Sequence, residues 1–462
     1  MLTKKQIQAL KSDDIQALYA LISNPHSNAE LLFILENLGR LPAGFVGDAL
    51  LPYITHQNDD IRYWAVKNIG KLGDLRYLNT LYERTEHEAN TIVRRELVSA
   101  IGRMRDATAC PHLSRLLEDP DPKIVIQAIR GLLVFKQAPE IRERLLALCD
   151  HPNEQIQLIL RKEFGDHDTA SDYGHHTDSP NGMKNVAVLG DVRDVLRFVP
   201  DGSIHLTFTS PPYYNARDYS IYDSYEGYLD FLGEVFDAVH RTTKEGRFLI
   251  VNTSPIIIPR ISRQYASKRY AIPFDLHARL VKAGWEFIDD IVWAKPEASV
   301  KNRNGGFMQH RKPLAYKPNA VTEYVMVYRK ATTRLIDWNI KQYPQTVIDA
   351  SRVDDAYETS NLWHIEPKSD RVHSAIFPEK LCDWVIRYYS YVGDLVFDPF
   401  GGSGTLAKAA VALNRYFFLT EIMPEYFERI QQTVTGDLFQ TFPSRFVTTD
   451  SFAHDMADRT QR

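Results

Sequence analysis

Cysteine is scarce: 462 residues hold three, Cys110, Cys149 and Cys382. So few, so far apart, exclude a disulfide framework and a cysteine metal cluster, and they fit a reducing cytoplasm. No run of about 18 apolar residues occurs, so no membrane span is expected. The opening Met1-Leu2-Thr3-Lys4-Lys5-Gln6 leads into a polar helix and not an apolar export segment. Neither sign of charge dominates. Against 59 acids stand 55 Lys and Arg, giving −4 and a pI near 6.4. Indiscriminate coating of nucleic acid, which needs an excess of cations, is disfavoured; a local basic face is not. What remains is an ordinary globular composition, 44% apolar and 25% charged, long enough for two or three domains.

Residues 1–165 are helical and repetitive. Ile61, Val93, Ile124 and Ile156 recur every 31 or 32 positions, each early in an apolar helical stretch. A weaker copy runs through Leu31–Gly39, and Gly70, Gly102 and Gly165 are read as closing three of the helices. A helical period of this length, with Asp-Pro turns, signals an α-solenoid similar to HEAT repeats; a plain bundle is the alternative. Solenoids offer a long curved face, which leaves a protein partner, a second copy or nucleic acid open. His56, His87, His112 and His151 fall near repeat turns and read as solvated. Residues 166–183 can bury little and read as a flexible linker. His175-His176 within it is read as no purposeful metal site.

Strands alternating with helical stretches follow from Val186, the pattern of a doubly wound sheet. One strand, Ile204–Phe208, runs into Thr209-Ser210-Pro211-Pro212-Tyr213-Tyr214. Two prolines cannot donate ladder hydrogen bonds, so the strand stops and a stiff loop follows. A hydroxyl, free carbonyls and an aromatic plane suit a planar ring that bears an amine.

Far downstream, Leu395–Asp398 reads as a strand, Pro399-Phe400-Gly401-Gly402-Ser403-Gly404-Thr405 as a glycine-rich turn, and Leu406–Leu413 as a helix. Glycines let backbone approach a ligand closely. The next strand, Tyr416–Thr420, ends at Glu421, placed to take a ribose diol. The turn lacks the spaced glycines of dinucleotide enzymes and the Lys-Ser/Thr ending of phosphate-binding loops. A nucleoside without polyphosphate fits.

Together the loops resemble the S-adenosylmethionine-dependent amino-methyltransferases of DNA, over roughly residues 184–435. The catalytic loop precedes the cofactor loop, as in the β (permuted) class. Ser-Pro-Pro-Tyr is similar to the cytosine-N4 branch; adenine-N6 enzymes more often carry Asp or Asn in place of Ser210. The implied fold is a Rossmann-like α/β methyltransferase sheet with helices on both faces, over 184–440, after an all-α solenoid over 1–165. Residues 331–372, with Arg334, Arg352, Asn361 and Trp363, would be the target recognition region, and 441–462 a loose polar tail.

The resemblance also assigns roles. Ser210, Pro211, Pro212 and Tyr213 would act on a flipped-out base. Asp191, Asp398, Pro399, Phe400, Gly402, Ser403, Gly404, Thr405 and Glu421 would hold S-adenosylmethionine, with Asp191 at the adenine end. His373, Ala375 and Phe377 would fold over its methionine part. No metal is called for. No cysteine stands in a Pro-Cys pair, so nothing points to the covalent route of ring-carbon methylation. Two stretches rich in cations and free of acids carry Arg260, Arg263, Lys268 and Arg269, then Lys301, Arg303, Arg311 and Lys312, which suit the phosphates of double-stranded DNA. Solvated loops are the alternative there. For the whole chain, the alternatives are methylation of adenine N6, or a HEAT-repeat interaction protein with an inactive methyltransferase-like module. A companion nuclease, as in restriction-modification, leaves no mark in these residues.

Overall fold

The computed structural model describes residues 2–25, 27–42, 44–165, 176–214, 222–258, 267–300, 310–314, 318–367, 378–434 and 443–460, with residues 262, 264, 308 and 316 besides. The chain forms two compact units, Met1–Thr169 and Ala170–Arg462.

The first unit is helical, and its period is built by caps. Asn58, Asn90, Asp121 and Asn153 each accept a backbone N–H in the first turn of the helix they open. Three residues on, Ile61, Val93, Ile124 and Ile156 are buried in one continuous core. Gly70 and Gly102 do not close helices as expected. They lie inside the helices Asp59–Leu72 and Thr91–Arg103. A Cβ on Gly70 would meet that of Ala100 at 2.6 Å, and one on Gly102 the Gly131 Cα at 3.1 Å. These glycines let neighbouring helices touch backbone to backbone. His56 and His151 are also more than solvated turns: the Nδ1 of each accepts the N–H of the capping Asn, at 3.0 Å. Among the described residues no helix is long and apolar enough to cross a membrane.

The second unit is organised by a nine-stranded sheet. Its strands are β1 (Val186–Leu189), β2 (Ile204–Thr209), β3 (Thr243–Thr253), β6 (Trp285–Ala294), β7 (Thr322–Lys330), β8 (Leu362–His364), β9 (Leu395–Asp398), β10 (Tyr416–Glu421) and β11 (Arg445–Thr448); β4 (Ile256–Ile258) and β5 (Lys268–Tyr270) form a separate hairpin. The order is β11-β1-β10-β9-β2-β3-β7-β6-β8. The first six run parallel and β7 is antiparallel to both its neighbours. Apolar side chains fill both faces. Helices Tyr225–Thr242, Ile272–Lys282 and Thr449–Thr460 cover one; Glu379–Tyr389, Thr405–Ala412 and Pro424–Val434 cover the other.

Two expectations need correcting. The residues after 442 are not a loose tail. Arg445–Thr448 pair in parallel with β1, and the helix behind them sinks Phe452 fully into the core. Charged neighbours hid a short apolar pair, Phe446-Val447. Nor is all of 166–183 a linker. Residues 166–175 lie outside the described residues, but from His176 on the chain is packed: the His176 ring stacks on Tyr343 at 4.2 Å, and Ser179 is buried against the Ser203 carbonyl.

Candidate functional site

Parallel strands gather their carboxyl ends at one edge of the sheet, where ligands of open α/β folds bind. Here that edge carries Asp191, the loop after Thr209, Asn252, Asp398 and Glu421, all following or ending adjacent strands. Because β7 is antiparallel, its first residues reach the same edge. Glu323 therefore sits beside Asn252.

The two distant loops are fastened to each other. β2 and β9 are neighbours, and the Thr209 hydroxyl donates to Asp398 Oδ1 at 2.6 Å. The same oxygen accepts the Phe400 N–H at 3.0 Å. Asp398 is buried, which pushes its carboxyl up to about 7. Tyr213 and Phe400 pack against one apolar cluster, so both loops share a floor.

Tyr213 is held by its oxygen. Its hydroxyl donates to Glu323 Oε2 at 3.1 Å, and the Ser254 and Ser210 side chains hydrogen-bond it as well. Burial, then the Glu323 charge, pushes that hydroxyl well above its ordinary range. Glu323 Oε2 also takes the Asn252 amide at 2.7 Å, while Oε1 pairs with Lys295. Lys295 lies 4.5 Å from the centre of the Trp293 ring. The buried Asn252 Oδ1 has no partner among the described residues. Sequence reading gave no role to Thr209, Asn252, Lys295 or Glu323. The available signal was polarity at the tips of apolar strands; which tips converge depends on β7 running backwards.

In the glycine-rich turn, Gly402 and Gly404 adopt left-handed backbone, at φ 52° and 77°. A Cβ on Gly404 would press the Ile430 backbone at 3.2 Å. Glu421 spans the turn: one oxygen accepts the Gly402 N–H at 2.8 Å and the other the Met423 N–H at 2.9 Å. Burial raises its carboxyl above the ordinary range. The Ile422 N–H bears on the carboxylate as well, and one acceptor site is left for a hydroxyl. Asp191 caps the short helix Val192–Val195 and pairs with Arg193 at 2.9 Å. Burial works against its charge, but Arg193 outweighs burial and keeps the carboxyl low. Arg193 lies over Phe231, which packs on Phe400. Pro399 is fixed through its carbonyl, which accepts the Thr420 hydroxyl at 2.7 Å, and Ser403 and Thr405 share a hydroxyl contact at 3.0 Å. The donor set from Asp398 to Thr405 contains no cation, which fits an uncharged nucleoside better than a phosphate.

Several expected residues are not brought into this picture. His373, Ala375 and Phe377 lie outside the described residues, as do Arg260, Arg263, Lys301 and Arg303. Lys268 and Arg269 stand exposed on β5, and Arg311 and Lys312 are exposed. Within 331–372, Arg334 faces Glu245 near the start of β3, the sheet edge opposite the loops. Arg352 is exposed beside Asp355. Trp363 is buried in β8, and the Asn361 amide donates to the Asp290 carbonyl.

That opposite edge holds its own polar cluster. Arg247 pairs with the buried Asp394, whose Oδ1 accepts the Tyr343 hydroxyl at 2.6 Å. His176, His205 and Asp394 bring one potential metal-ligand atom each within 4.8 Å of one another. Asp394 is already neutralised by Arg247, however, and a second cation there would face the guanidinium.

Comparison with known proteins follows these two units. Residues 204–432 match the DNA methylase family, and residues 47–133 and 78–159 match HEAT repeats. The Type II beta methyltransferase M.BslI of Bacillus sp. (strain NEB-606) is 28% identical over 259 residues, which are 54% of this chain and 27% of that protein. M.MwoI of Methanothermobacter wolfeii, a Type II methyltransferase, is 27% identical over 48% of this chain and 30% of its own length. The chain thus spans under a third of these two relatives. The Type II methyltransferase M.Cfr9I of Citrobacter freundii is 26% identical over 57% of this chain and 92% of its own. Among solved structures, TTHA0409 of Thermus thermophilus, complexed with S-adenosyl-L-methionine, is 27% identical at a TM-score of 0.45, covering 57% of this chain and 98% of that one.

Proposed function

On the premise that residues 204–432, which match the DNA methylase family, work as that family does, we propose that this chain methylates an exocyclic amine of a base in double-stranded DNA, using S-adenosylmethionine. The observation that carries the reading is the 2.6 Å hydrogen bond from Thr209 to Asp398, because it holds the base-gripping loop against the cofactor loop. Catalytic loop before cofactor loop supports the β class. Ser210, in place of an acidic or amide residue, supports cytosine N4 as the target atom.

The cofactor, when bound, supplies a methyl group on a sulfonium, a strong leaving group. Glu421 would take a ribose hydroxyl on its remaining acceptor site, and Asp191 would face the adenine end. Asp398, Pro399, Phe400, Gly402, Ser403, Gly404 and Thr405 would frame the nucleoside; His373, Ala375 and Phe377 would cover the methionine part. The target atom lies inside a duplex, so the base must leave the stack. Ser210 then has a defined task. Its hydroxyl bonds the Tyr213 oxygen, so its lone pairs are left to accept an amino proton. The Pro211 carbonyl accepts the second proton, and Pro212 keeps the loop stiff. With both protons held, the nitrogen lone pair turns out of the ring plane and toward the methyl group. Positioning of this kind supplies most of what an in-line transfer needs. After transfer the surplus proton leaves through Ser210 to water. The ring of Tyr213, fixed by its hydroxyl, offers its face to the base.

Lys268, Arg269, Arg311 and Lys312, with Arg260, Arg263, Lys301 and Arg303, would contact DNA phosphates. Residues 331–372 would read the target, through the end of β8 that pairs with β6 at the site edge. Methylated duplex, digested to nucleosides and weighed, tests the reading. N4-methylcytosine is expected. N6-methyladenine would move the target to adenine, and no modified base together with no cofactor binding would leave an inactive module on a HEAT-repeat protein.

A further inference from the structure

The solenoid carries a groove that the methylation reading does not use. It opens among the ends of helices Lys4–Asp13, Asn28–Asn37, Asp59–Leu72 and Thr91–Arg103. Its volume, about 1360 Å³, exceeds the roughly 300–1,000 Å³ of small-molecule pockets. Five cations line it, Lys11, Arg40, Lys71, Arg103 and Arg105, against one carboxylate, Asp74, which is already paired with Arg76.

The cations keep the period of the fold. Arg40, Lys71 and Arg103 stand 31 and 32 residues apart, the spacing of the buried anchors, just past or at the ends of the helices Asn28–Asn37, Asp59–Leu72 and Thr91–Arg103. Those helices pack one on the next. At 8–10 Å between packed helices, three rungs reach about 20 Å. That is roughly the length of six base pairs at 3.4 Å each.

A cation at a helix carboxyl end can serve only the helix dipole. Part of the set is engaged within the fold: Lys71 lies 3.4 Å from the Gly39 carbonyl, and Arg103 pairs with Glu96. Arg40 and Arg105 are not. Both are exposed, with no carboxylate partner among the described residues. The gathering is also self-repelling. Burial first, then the charges of Lys67 and Arg103, pull the Lys71 ammonium below its ordinary range. Five cations against Asp74, which is paired with Arg76, and the Glu96 partner of Arg103 leave an excess of positive charge that calls for an anion.

We propose that this groove binds the phosphate backbone of duplex DNA. The polyanion is taken from the activity proposed above; the cations are read from the groove alone. Contacts of this kind go to phosphates and not to base edges, so the grip adds affinity without sequence preference.

The test uses the full chain and a fluorescent duplex of scrambled sequence. Anisotropy titrations across a salt series compare wild type with Arg40→Ala/Lys71→Ala/Arg105→Ala. Each phosphate contact contributes about 0.9 to the slope of log affinity against log salt. The triple variant is expected to bind roughly tenfold or more weakly at low salt, with a slope shallower by about 2 to 3. Thermal melts check that it folds; Arg40→Glu and Arg105→Glu, each alone on an exposed partner-free site, report the same loss if it does not. Arg40→Lys/Lys71→Arg/Arg105→Lys should restore affinity. Unchanged affinity and slope in folded variants overturn the inference, and leave the groove to helix capping or an acidic protein. A wild-type chain that binds no duplex overturns it too. Loss of DNA binding in a chain that never methylates would support the groove while sinking the reading of the sheet.

Discussion

Thr209 and Asp398 are 189 residues apart in sequence and 2.6 Å apart in space, hydroxyl to carboxylate. One ends the strand before the Ser-Pro-Pro-Tyr loop; the other ends the strand before the glycine-rich turn. The bond makes the two loops a single unit, so changes on either side should be felt on the other.

Asp398 is a buried acid whose pKa rises from 3.8 to about 7 on folding. The folded chain therefore holds a proton that the unfolded chain releases between those values. Its contribution to stability is fully present below about pH 4 and is lost as pH rises through about 7. Asp398→Asn has no such proton. Denaturant titrations of ligand-free protein at pH 5, 6, 7 and 8 should show the variant gaining on wild type by about 1.4 kcal/mol per pH unit up to 7 and then levelling. Parallel curves would refute the buried-acid account.

Ser210→Ala should lower methyl transfer by about 100-fold, the scale of one positioned proton-transfer partner. Cofactor affinity, measured by calorimetry, should stay within about twofold, since Ser210 belongs to the base side of the site. Full activity on DNA would remove Ser210 from the chemistry.

Glu323→Ala should release Tyr213, Asn252 and Lys295 together. Misplacement near 1 Å can cost on the order of 100-fold, so single-turnover rates should fall steeply while cofactor binding holds. A rate within about threefold of wild type would mean that the loop is stiff enough without its anchor.

Glu421→Ala should weaken cofactor binding by about ten- to a hundredfold, the worth of a charge-assisted hydrogen bond to a ribose hydroxyl. The same variant also frees the Gly402 N–H. Cofactor analogues lacking one ribose hydroxyl separate the two effects: they should lose affinity for wild type and lose little for the variant.

At the other edge, Asp394→Asn should cost about 3–5 kcal/mol, the usual result of stranding one partner of a buried ion pair. The amide keeps one oxygen, so Arg247 would lose its counter-charge, and one of Arg247 and Tyr343 would face an NH2 where an acceptor stood. Asp394 itself titrates near 2, so its contribution is present above about pH 4 and fails as pH drops through 2. Urea midpoints at neutral pH measure the cost.

Much of this was legible before any coordinates. The caps and anchors of the solenoid announce themselves by period, because each repeat must bury the same face. The two loops announce themselves because prolines and glycines have few other reasons to follow apolar strands. Gly70 was misread because a helical glycine and a terminating one look alike in a string; only Ala100 at its side tells them apart. Glu323 was missed for a different reason. Its strand runs against its neighbours, so an acid at a strand's start lands where the others finish. β11 escaped notice because a four-residue strand among charges carries almost no periodic signal.

The placement of β1 bears on the order of synthesis. Both its neighbours, β10 and β11, lie more than 220 positions downstream. At about 5–20 residues per second, the ribosome leaves that strand without either flank for roughly 10 to 50 seconds. The solenoid, whose helices meet their sequence neighbours, can collapse meanwhile. β1 cannot pair until β10 and β11 emerge, so newly made chains should expose this apolar strand in the interval.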